Sequence, residues 1–220
     1  MERFLLDAIP ITATIEEITK KLGLKDEDDI DLMTELFAKV RELARPKALY
    51  KVAYVDSVES PHVVLDGVRF TSAVLSRNME SVHRVFAYVC TCGTELDDWS
   101  HAEKDYVVSF WLDIVKERIL FDASSYLRSY IKNKYGITTL SSINPGSGNA
   151  DTWPITQQKL LFQLIGGVTE DAGVQLTESC LMLPTKSTSG LLYGSAKEFI
   201  NCSLCERKNC PGRRAEYTPG

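Results

Sequence analysis

The sequence lacks an apolar stretch long enough to span a membrane. No run of about 18 apolar residues, the usual requirement for a transmembrane helix, occurs among its 220 residues. The first seven residues include Glu2, Arg3 and Asp7, so charge interrupts them too early for a secretory signal peptide. We therefore expect a cytoplasmic protein that makes no membrane contact.

Positive charge and histidine are also scarce. The chain has 25 Lys and Arg residues against 30 Asp and Glu, a net charge of −5, and no long basic stripe of the kind that binds nucleic acid. Its histidines (His62, His83 and His101) are scattered, and neither a phosphate-binding P-loop nor a Gly-x-Ser-x-Gly motif is present. Hydrolysis and phosphoryl transfer are therefore disfavoured. Any chemistry is expected from a cofactor, and the sequence leaves open whether the chain is itself an enzyme.

The first 47 residues predict a helical arm. Thr14 is a typical N-cap and Gly23 a typical helix end, so a short helix is expected between them. Acidic residues from Asp26 onwards favour a second helix start, because the helix dipole stabilises negative charge there. Pro46 then ends the apolar helical periodicity.

The next two segments predict a sheet covered by a helix. Residues 48–92 have the pattern of strands, and Asp66-Gly67 predicts a hairpin because these residues adopt the positive φ angles of a tight turn. Residues 94–134 carry apolar side chains at helical spacing in a wide stripe. Such a stripe predicts a core helix that lies deep against the sheet.

Loops concentrate in the last third of the chain. Ten of the 13 glycines and five of the eight prolines follow Tyr135, and loops often carry binding sites. Residues 141–154 lead to a predicted helix start, with Asp151 or Thr152 as its N-cap and Pro154 in its first turn. A loop of this kind offers free backbone N–H groups that can hold a carboxylate or another polar ligand.

A second segment, residues 176–193, is dense in hydroxyl groups. Pro184 is expected to end one strand and Gly190 to begin another, with residues 185–189 forming a hydrogen-bonded turn between them. The pattern Thr-x-Ser-x-x-Met-x-Pro-x-x-Ser-x-Ser-Gly runs through this segment. Its fixed positions are Thr177, Ser179, Met182, Pro184, Ser187, Ser189 and Gly190.

Together with Pro145-Gly146 before the predicted helix, this pattern resembles the activation domain of cobalamin-dependent methionine synthase. Trp153-Pro154 and Gln157-Gln158 are similar to the small stand-alone members of that family. The resemblance covers about residues 90–195.

The resemblance implies an α+β fold with a bent, largely antiparallel sheet and long helices, here a core over residues 48–200. It also implies a groove for S-adenosylmethionine, a corrinoid-carrying partner protein or methyltransferase that brings cobalamin, and a flavodoxin-type electron donor. The residues expected in the groove are Asn144, Pro145, Gly146, Ser147, Trp153, Lys186, Ser187, Ser189, Gly190 and Leu192.

The chain departs from the family pattern in the loop. The family has an arginine three residues before the Pro-Gly pair and a tyrosine directly after it, whereas this chain has Ser142 and Ser147. A serine cannot replace the bidentate, charge-assisted hydrogen bonds that an arginine donates to a carboxylate. Lys186 is either a substitute cation or a solvated surface lysine.

The tail, residues 201–220, contains a cluster of cysteines. Cys202, Cys205 and Cys210 have the spacing Cys-x₂-Cys-x₄-Cys, which favours zinc or an iron–sulfur cluster over a flexible reduced tail. A fourth ligand would come from another cysteine or a histidine, or a substrate or solvent molecule would occupy that position. The candidates are Cys90, Cys92, Cys180, His62, His83 and His101, of which Cys90 and Cys92 are either reactive thiols or buried ones.

Three functional hypotheses follow. The first is an accessory protein of corrinoid-dependent methyl transfer that binds or reactivates the corrinoid, with S-adenosylmethionine as its ligand. The second is an iron–sulfur protein that reduces a Co(II) corrinoid, and the third is an interaction module stapled by zinc. The first depends on one spatial expectation, that the 144–147 loop and the 186–192 segment line the same cleft.

Overall fold

A computed structural model describes residues 2–148, 152–207, 209–210, 213 and 215–218. The elements in chain order are β1 (Arg3–Leu6), α1 (Ile15–Leu22), α2 (Glu27–Leu43), β2 (Lys47–Glu59), β3 (His62–Leu65), β4 (Val68–Thr71), α3 (Ala73–Met79), β5 (Arg84–Thr91), α4 (Thr94–His101), α5 (Tyr106–Tyr135), β6 (Leu140–Ile143), α6 (Gln158–Ile165), α7 (Val168–Ala172), β7 (Gln175–Leu176), β8 (Met182–Leu183) and β9 (Ser187–Gly194). Short 3-10 helices cover Ile155–Gln157 and Asn201–Leu204. Asp151, one of the two predicted N-caps, lies outside the described residues.

The sheet confirms the predicted α+β class. Its order is β4-β3-β2-β5-β9-β6, with β1 also paired to β2, and every neighbouring pair is antiparallel. The long strand β2 has an irregular register between Val55 and Ser57, so one part of it pairs with β5 and the other with the β3–β4 hairpin. The predicted tight turn joins that hairpin, and both Asp66 (φ 45°) and Gly67 (φ 79°) have positive φ angles.

The amino-terminal segment is only partly helical. Thr14 and Glu17 form a capping box at the start of α1, and Gly23 ends the helix in the left-handed conformation, as predicted. The expectation of helix throughout residues 1–47 is wrong at its start, because β1 is a strand. Phe4 pairs with Tyr50 in the sheet and stacks on its ring at 5.1 Å, so tertiary contacts decide the conformation of this short segment. The division into arm, core and tail stays a prediction.

Alternation along β5 divides the sheet into two faces. Val85, Ala87 and Val89 point to one face, where α3, α6 and α7 complete an apolar cluster. Phe86, Tyr88 and Cys90 point to the other face, which α5 covers. We call the first the core face and the second the α5 face.

Helix α5 packs against the α5 face of the sheet with its second half and against other helices with its first half. Asp105 caps its start and Gly136 (φ 65°) ends it after 30 residues. The predicted helical region over 94–134 is thus two helices, α4 and α5. The first half of α5 packs against α1, α2 and α4 in a separate apolar cluster. Among the described residues, no helix has the length and apolar character needed to cross a bilayer.

Candidate functional site

An open cleft of about 1100 Å³ lies where α5 faces the ends of β6 and β9. Its walls come from the 144–147 loop, the segment before and within β9, the middle of α5 (residues 117–128), and the tail. Its volume is slightly above the range of about 300–1000 Å³ that is usual for small-molecule sites. The cleft therefore brings together the two segments that the sequence analysis singled out.

Direct contacts join the loop to β9. The Asn144 side-chain amide donates to the Ser189 carbonyl oxygen at 2.6 Å and to the Tyr88 hydroxyl at 2.7 Å. A Cβ at Gly190 would lie 2.4 Å from Asn144 Nδ2, so only glycine allows this close approach. The prediction that Gly190 begins a strand is wrong, because β9 already starts at Ser187 and the Asn144 side chain packs beside its middle.

The floor of the cleft contains buried polar atoms without a protein partner. Ser142 and Asn144 both line the cleft and are only 2% and 8% exposed. Among the described residues, Ser142 Oγ and Asn144 Oδ1 are two of the four buried side-chain polar atoms without a hydrogen-bond partner. A third, Ser189 Oγ, belongs to a side chain whose Cβ points to the core face of the sheet and not to the cleft floor. Such groups are rare in folded proteins because burying them unpaired is unfavourable, so the two atoms on the cleft floor mark a place for a hydrogen-bonding molecule, either a polar ligand or water.

Side chains on α5 form the opposite wall. Arg118, Phe121, Ser125 and Arg128 lie on one helical stripe and all line the cleft. Sequence reasoning treated this helix as core only. The two arginines, the serine and the phenylalanine at this helical spacing could have indicated that α5 has a second face, which is exposed to solvent.

Arg128 lies beside the strand that carries Ser142. Its Nη2 atom donates to the Leu140 carbonyl oxygen at 2.7 Å and lies 3.1 Å from Glu198 Oε1. Leu140 and Ser142 are two residues apart on β6 and so point to the same face of the sheet. Arg128 and Ser142 both line the cleft, so a guanidinium from another element shares the cleft with the serine that replaces the arginine of the family pattern.

Two predicted site residues lie elsewhere. Trp153 is fully buried in the apolar cluster of the core face, edge-on to Phe70 with ring centroids 5.7 Å apart. The Lys186 ammonium lies 2.8 Å from Asp113 Oδ2 on α5, and Lys186 is not among the residues that line the cleft.

The remaining predicted residues surround the cleft. Residues 145–147 and Leu192 line it directly. Ser187 also lines it, although its hydroxyl donates to the Pro184 carbonyl oxygen at 2.7 Å. Alternation along β9 places the Cβ of Ser189 on the core face with Leu191, so Ser189 meets the loop through its backbone carbonyl.

Two glutamines hold the segments around the cleft in place. Gln157 bonds to both backbone polar groups of Thr71, accepting from the N–H at 2.8 Å and donating to the carbonyl. The Gln158 amide donates to the Cys180 carbonyl oxygen at 3.3 Å. Cys180 has a φ of 66° and lines the cleft. At the start of α6, Gln157 therefore holds the end of β4 and Gln158 holds the turn at Cys180.

The start of the tail closes one end of the cleft. Asn201 is fully buried, accepts from the Asn144 N–H at 3.3 Å and donates to the Ser147 carbonyl oxygen at 3.1 Å. Ile200 pairs with Ser142 in a parallel bridge and, like Arg213, lines the cleft. Sequence reasoning missed Asn201 because its contacts are with residues more than 50 positions away.

The cysteines fall into two groups. Cys202, Cys205 and Cys210 are partly exposed and free. Among the residues that the structure describes, which include all three, no group of three or more Cys, His, Asp or Glu side chains is arranged to hold a metal ion. The residues present thus do not fit the expected zinc or iron–sulfur site. Cys90 and Cys92 are fully buried, and burial raises the pKa of each thiol to about 12.

Comparison with known proteins places the fold. The family model for the vitamin B12 dependent methionine synthase activation domain matches residues 88–210. The chain is also similar to a solved structure, "Crystal Structure of the MetH Reactivation Domain bound to AdoHcy", with a TM-score of 0.63, 13% sequence identity, and coverage of 91% of this chain and 81% of that chain. The comparison with curated proteins gives no match.

Proposed function

This chain belongs to the activation-domain family of vitamin B12-dependent methionine synthase, and from that premise we propose that its cleft binds S-adenosylmethionine. We further propose that the chain serves to reactivate a corrinoid that a partner protein carries. When bound, S-adenosylmethionine supplies a methyl group. The residues of this chain bind and orient that ligand.

The observation that carries this proposal is the pair of unpartnered atoms on the cleft floor. Ser142 Oγ and Asn144 Oδ1 are buried without a protein hydrogen bond, while the rest of Asn144 is held firmly by Tyr88 and Ser189. A ligand with hydrogen-bonding groups would satisfy both atoms. The floor is therefore preorganised for a polar molecule.

Arg128 is our candidate for the charge that the loop lacks. S-adenosylmethionine carries an α-carboxylate and an α-ammonium group, and the Arg128–Glu198 pair at the cleft presents one charge of each sign. The Arg128 side chain is 28% exposed and can reach a ligand without leaving the Leu140 carbonyl. The guanidinium would hold the carboxylate, which is the pairing that arginine favours.

The rim of the cleft suits a protein partner. Phe121, Leu181 and Ile155 line the cleft and are 59%, 51% and 42% exposed. Large apolar side chains grouped around a cleft are typical of a surface that another protein covers. A corrinoid-binding domain that docks there would bring its cofactor to the bound S-adenosylmethionine.

Calorimetric titration with S-adenosylhomocysteine and S-adenosylmethionine tests the proposal. We expect binding by the unaltered protein and about fivefold weaker binding by Ser142→Ala, the loss of roughly one hydrogen bond. The free energy of unfolding of Ser142→Ala without ligand should not fall, because the hydroxyl has no partner to lose.

Ser76→Ala is the matched control, since Ser76 is equally buried but lies on α3, away from the cleft. It should leave ligand affinity unchanged. No heat of binding with either ligand, or equal affinity in Ser142→Ala and the unaltered protein, would contradict the proposed site.

A further inference from the structure

Two tail cysteines lie at the ends of one tight turn. Cys202 and Cys205 are joined by a backbone hydrogen bond from the Cys205 N–H to the Cys202 carbonyl oxygen at 3.2 Å, within the 3-10 helix Asn201–Leu204 and its cap. Residues three apart in such a turn project to the same side, and their Cα atoms lie within about 7 Å. That separation is close to the span of a disulfide.

Arg213 fixes this turn from outside. Its guanidinium donates to the carbonyl oxygen of Cys202 at 3.1 Å and to that of Cys205 at 2.9 Å. It also donates to the carbonyl oxygens of Arg207 and Ala215. One side chain thus holds both cysteines in a set geometry, and both remain partly exposed and free.

The same turn is connected to the cleft. Asn201 directly precedes Cys202, is fully buried and holds the 144–147 loop through Asn144 and Ser147. Any restraint on the turn therefore acts on the residue that positions the loop. This connection does not depend on which ligand the cleft takes.

We propose that Cys202 and Cys205 form a reversible thiol–disulfide site, and that Asn201 transmits its state to the cleft loop. The oxidant is a small disulfide. The Cys202 thiolate attacks one sulfur of that disulfide and releases the first thiol, and the Cys205 thiolate then attacks the Cys202 sulfur and releases the second. Two electrons pass to the small disulfide, and the two protons of the cysteine thiols end on the released thiols.

Closing the disulfide restrains the turn and with it the Asn201 side chain. The Asn144 N–H, which donates to Asn201 Oδ1, should then open to solvent less often. Oxidation therefore tightens the loop that lines the cleft, and reduction loosens it. Asn201 acts as a positioning residue in this scheme.

Incubation of the ligand-free protein with glutathione disulfide, followed by peptide mass spectrometry, tests the site. We expect a loss of two hydrogens and a cross-link between Cys202 and Cys205. Cys205→Ser should instead accumulate a glutathione adduct on Cys202, and Cys210→Ser should form the same cross-link as the unaltered protein. A cross-link that uses Cys210, or stable glutathione adducts on Cys202 or Cys205 of the unaltered protein, would overturn the proposal.

Hydrogen exchange of the oxidised and reduced protein tests the connection to the cleft. Exchange at the Asn144 N–H should slow by roughly tenfold on oxidation, and Asn201→Ala should form the disulfide without that slowing. Equal Asn144 exchange in the oxidised and reduced unaltered protein would overturn the role of Asn201. Because no ligand is present, these results are independent of the S-adenosylmethionine titration.

Discussion

The two faces of the sheet are formed by the same strands but differ in how their side chains are packed. On the core face, Trp153, Leu191 and Tyr193 are at most 1% exposed and pack into one continuous apolar cluster. On the α5 face, the apolar packing stops at the cleft, where Ser142 and Asn144 present unpartnered atoms. The comparison indicates that the core face supplies stability, whereas apolar packing at the end of the α5 face is interrupted by an open cleft with polar walls.

Trp153→Ala should show the largest effect, on stability alone. Trp153 is fully buried against Phe70, so its truncation should lower the free energy of unfolding by about 3–5 kcal/mol. Denaturant titration measures this, and Trp153→Phe should lose less. If Trp153→Ala abolished ligand binding at unchanged stability, the assignment of Trp153 to the core would be wrong.

The raised pKa of Cys90 tests whether water is excluded from the α5 face away from the cleft. Burial is the main cause that raises the Cys90 pKa from 9.0 to about 12. Between pH 9 and pH 12, the folded protein therefore keeps the Cys90 thiol proton and the unfolded chain loses it. The contribution of Cys90 to stability is thus complete below pH 9 and declines between pH 9 and pH 12. The decline should be about 1.4 kcal/mol per pH unit.

Urea titrations between pH 8 and 11, about the range set by these two pKa values, should show a shallower alkaline loss of stability in Cys90→Ala than in the unaltered protein. Other groups titrate in the same range, so the difference between the two proteins is the readout. Parallel curves would mean that water reaches Cys90.

Substitutions of Arg128 and Lys186 distinguish the side chain that we propose binds the ligand carboxylate from a cationic side chain at the surface. Arg128→Gln should weaken binding of S-adenosylhomocysteine by about 10- to 100-fold, as expected for a charged hydrogen bond. Lys186→Gln is the matched control, because its ammonium pairs with Asp113 and lies outside the cleft lining. Calorimetry that found the larger loss in Lys186→Gln would reverse this assignment.

Phe121 should have the smallest of these effects, on partner association. Phe121→Ser removes an exposed apolar side chain from the cleft rim and should weaken association with a cobalamin-carrying domain by roughly 1 kcal/mol. Tyr106→Ser, which alters a 91% exposed residue at the far end of α5, is the control. Analytical ultracentrifugation of the mixtures measures both, and equal loss would place the docking surface elsewhere.

Much of the fold could be predicted from short-range patterns. The Thr14 cap, the Gly23 end and the Asp66-Gly67 turn all formed where expected, because each depends on residues within a few positions. The strand β1 could not be predicted in this way. Four residues carry too little pattern, and pairing of Phe4 with Tyr50 decides their conformation.

The candidate site was predictable only in part. The two segments that meet at Asn144 and Gly190 were identified from their resemblance to a family, and the structure brings them into contact. Trp153 was assigned to the site from the family resemblance, but its large apolar ring is buried on the core face. Arg128 was overlooked because it belongs to a helix whose other residues are core.

The sequence by itself determined the local elements, since capping, turn geometry and apolar periodicity act between near neighbours, and the motif that runs from Thr177 to Gly190 indicated the family by resemblance. Only the tertiary structure decided that Arg128 from α5 lines the same cleft as Ser142 and that Asn201 holds the 144–147 loop. Asn201 and Asn144 are 57 residues apart. Contacts at such separations depend on how the helix and the tail pack on the sheet, and no pattern of neighbouring residues specifies them.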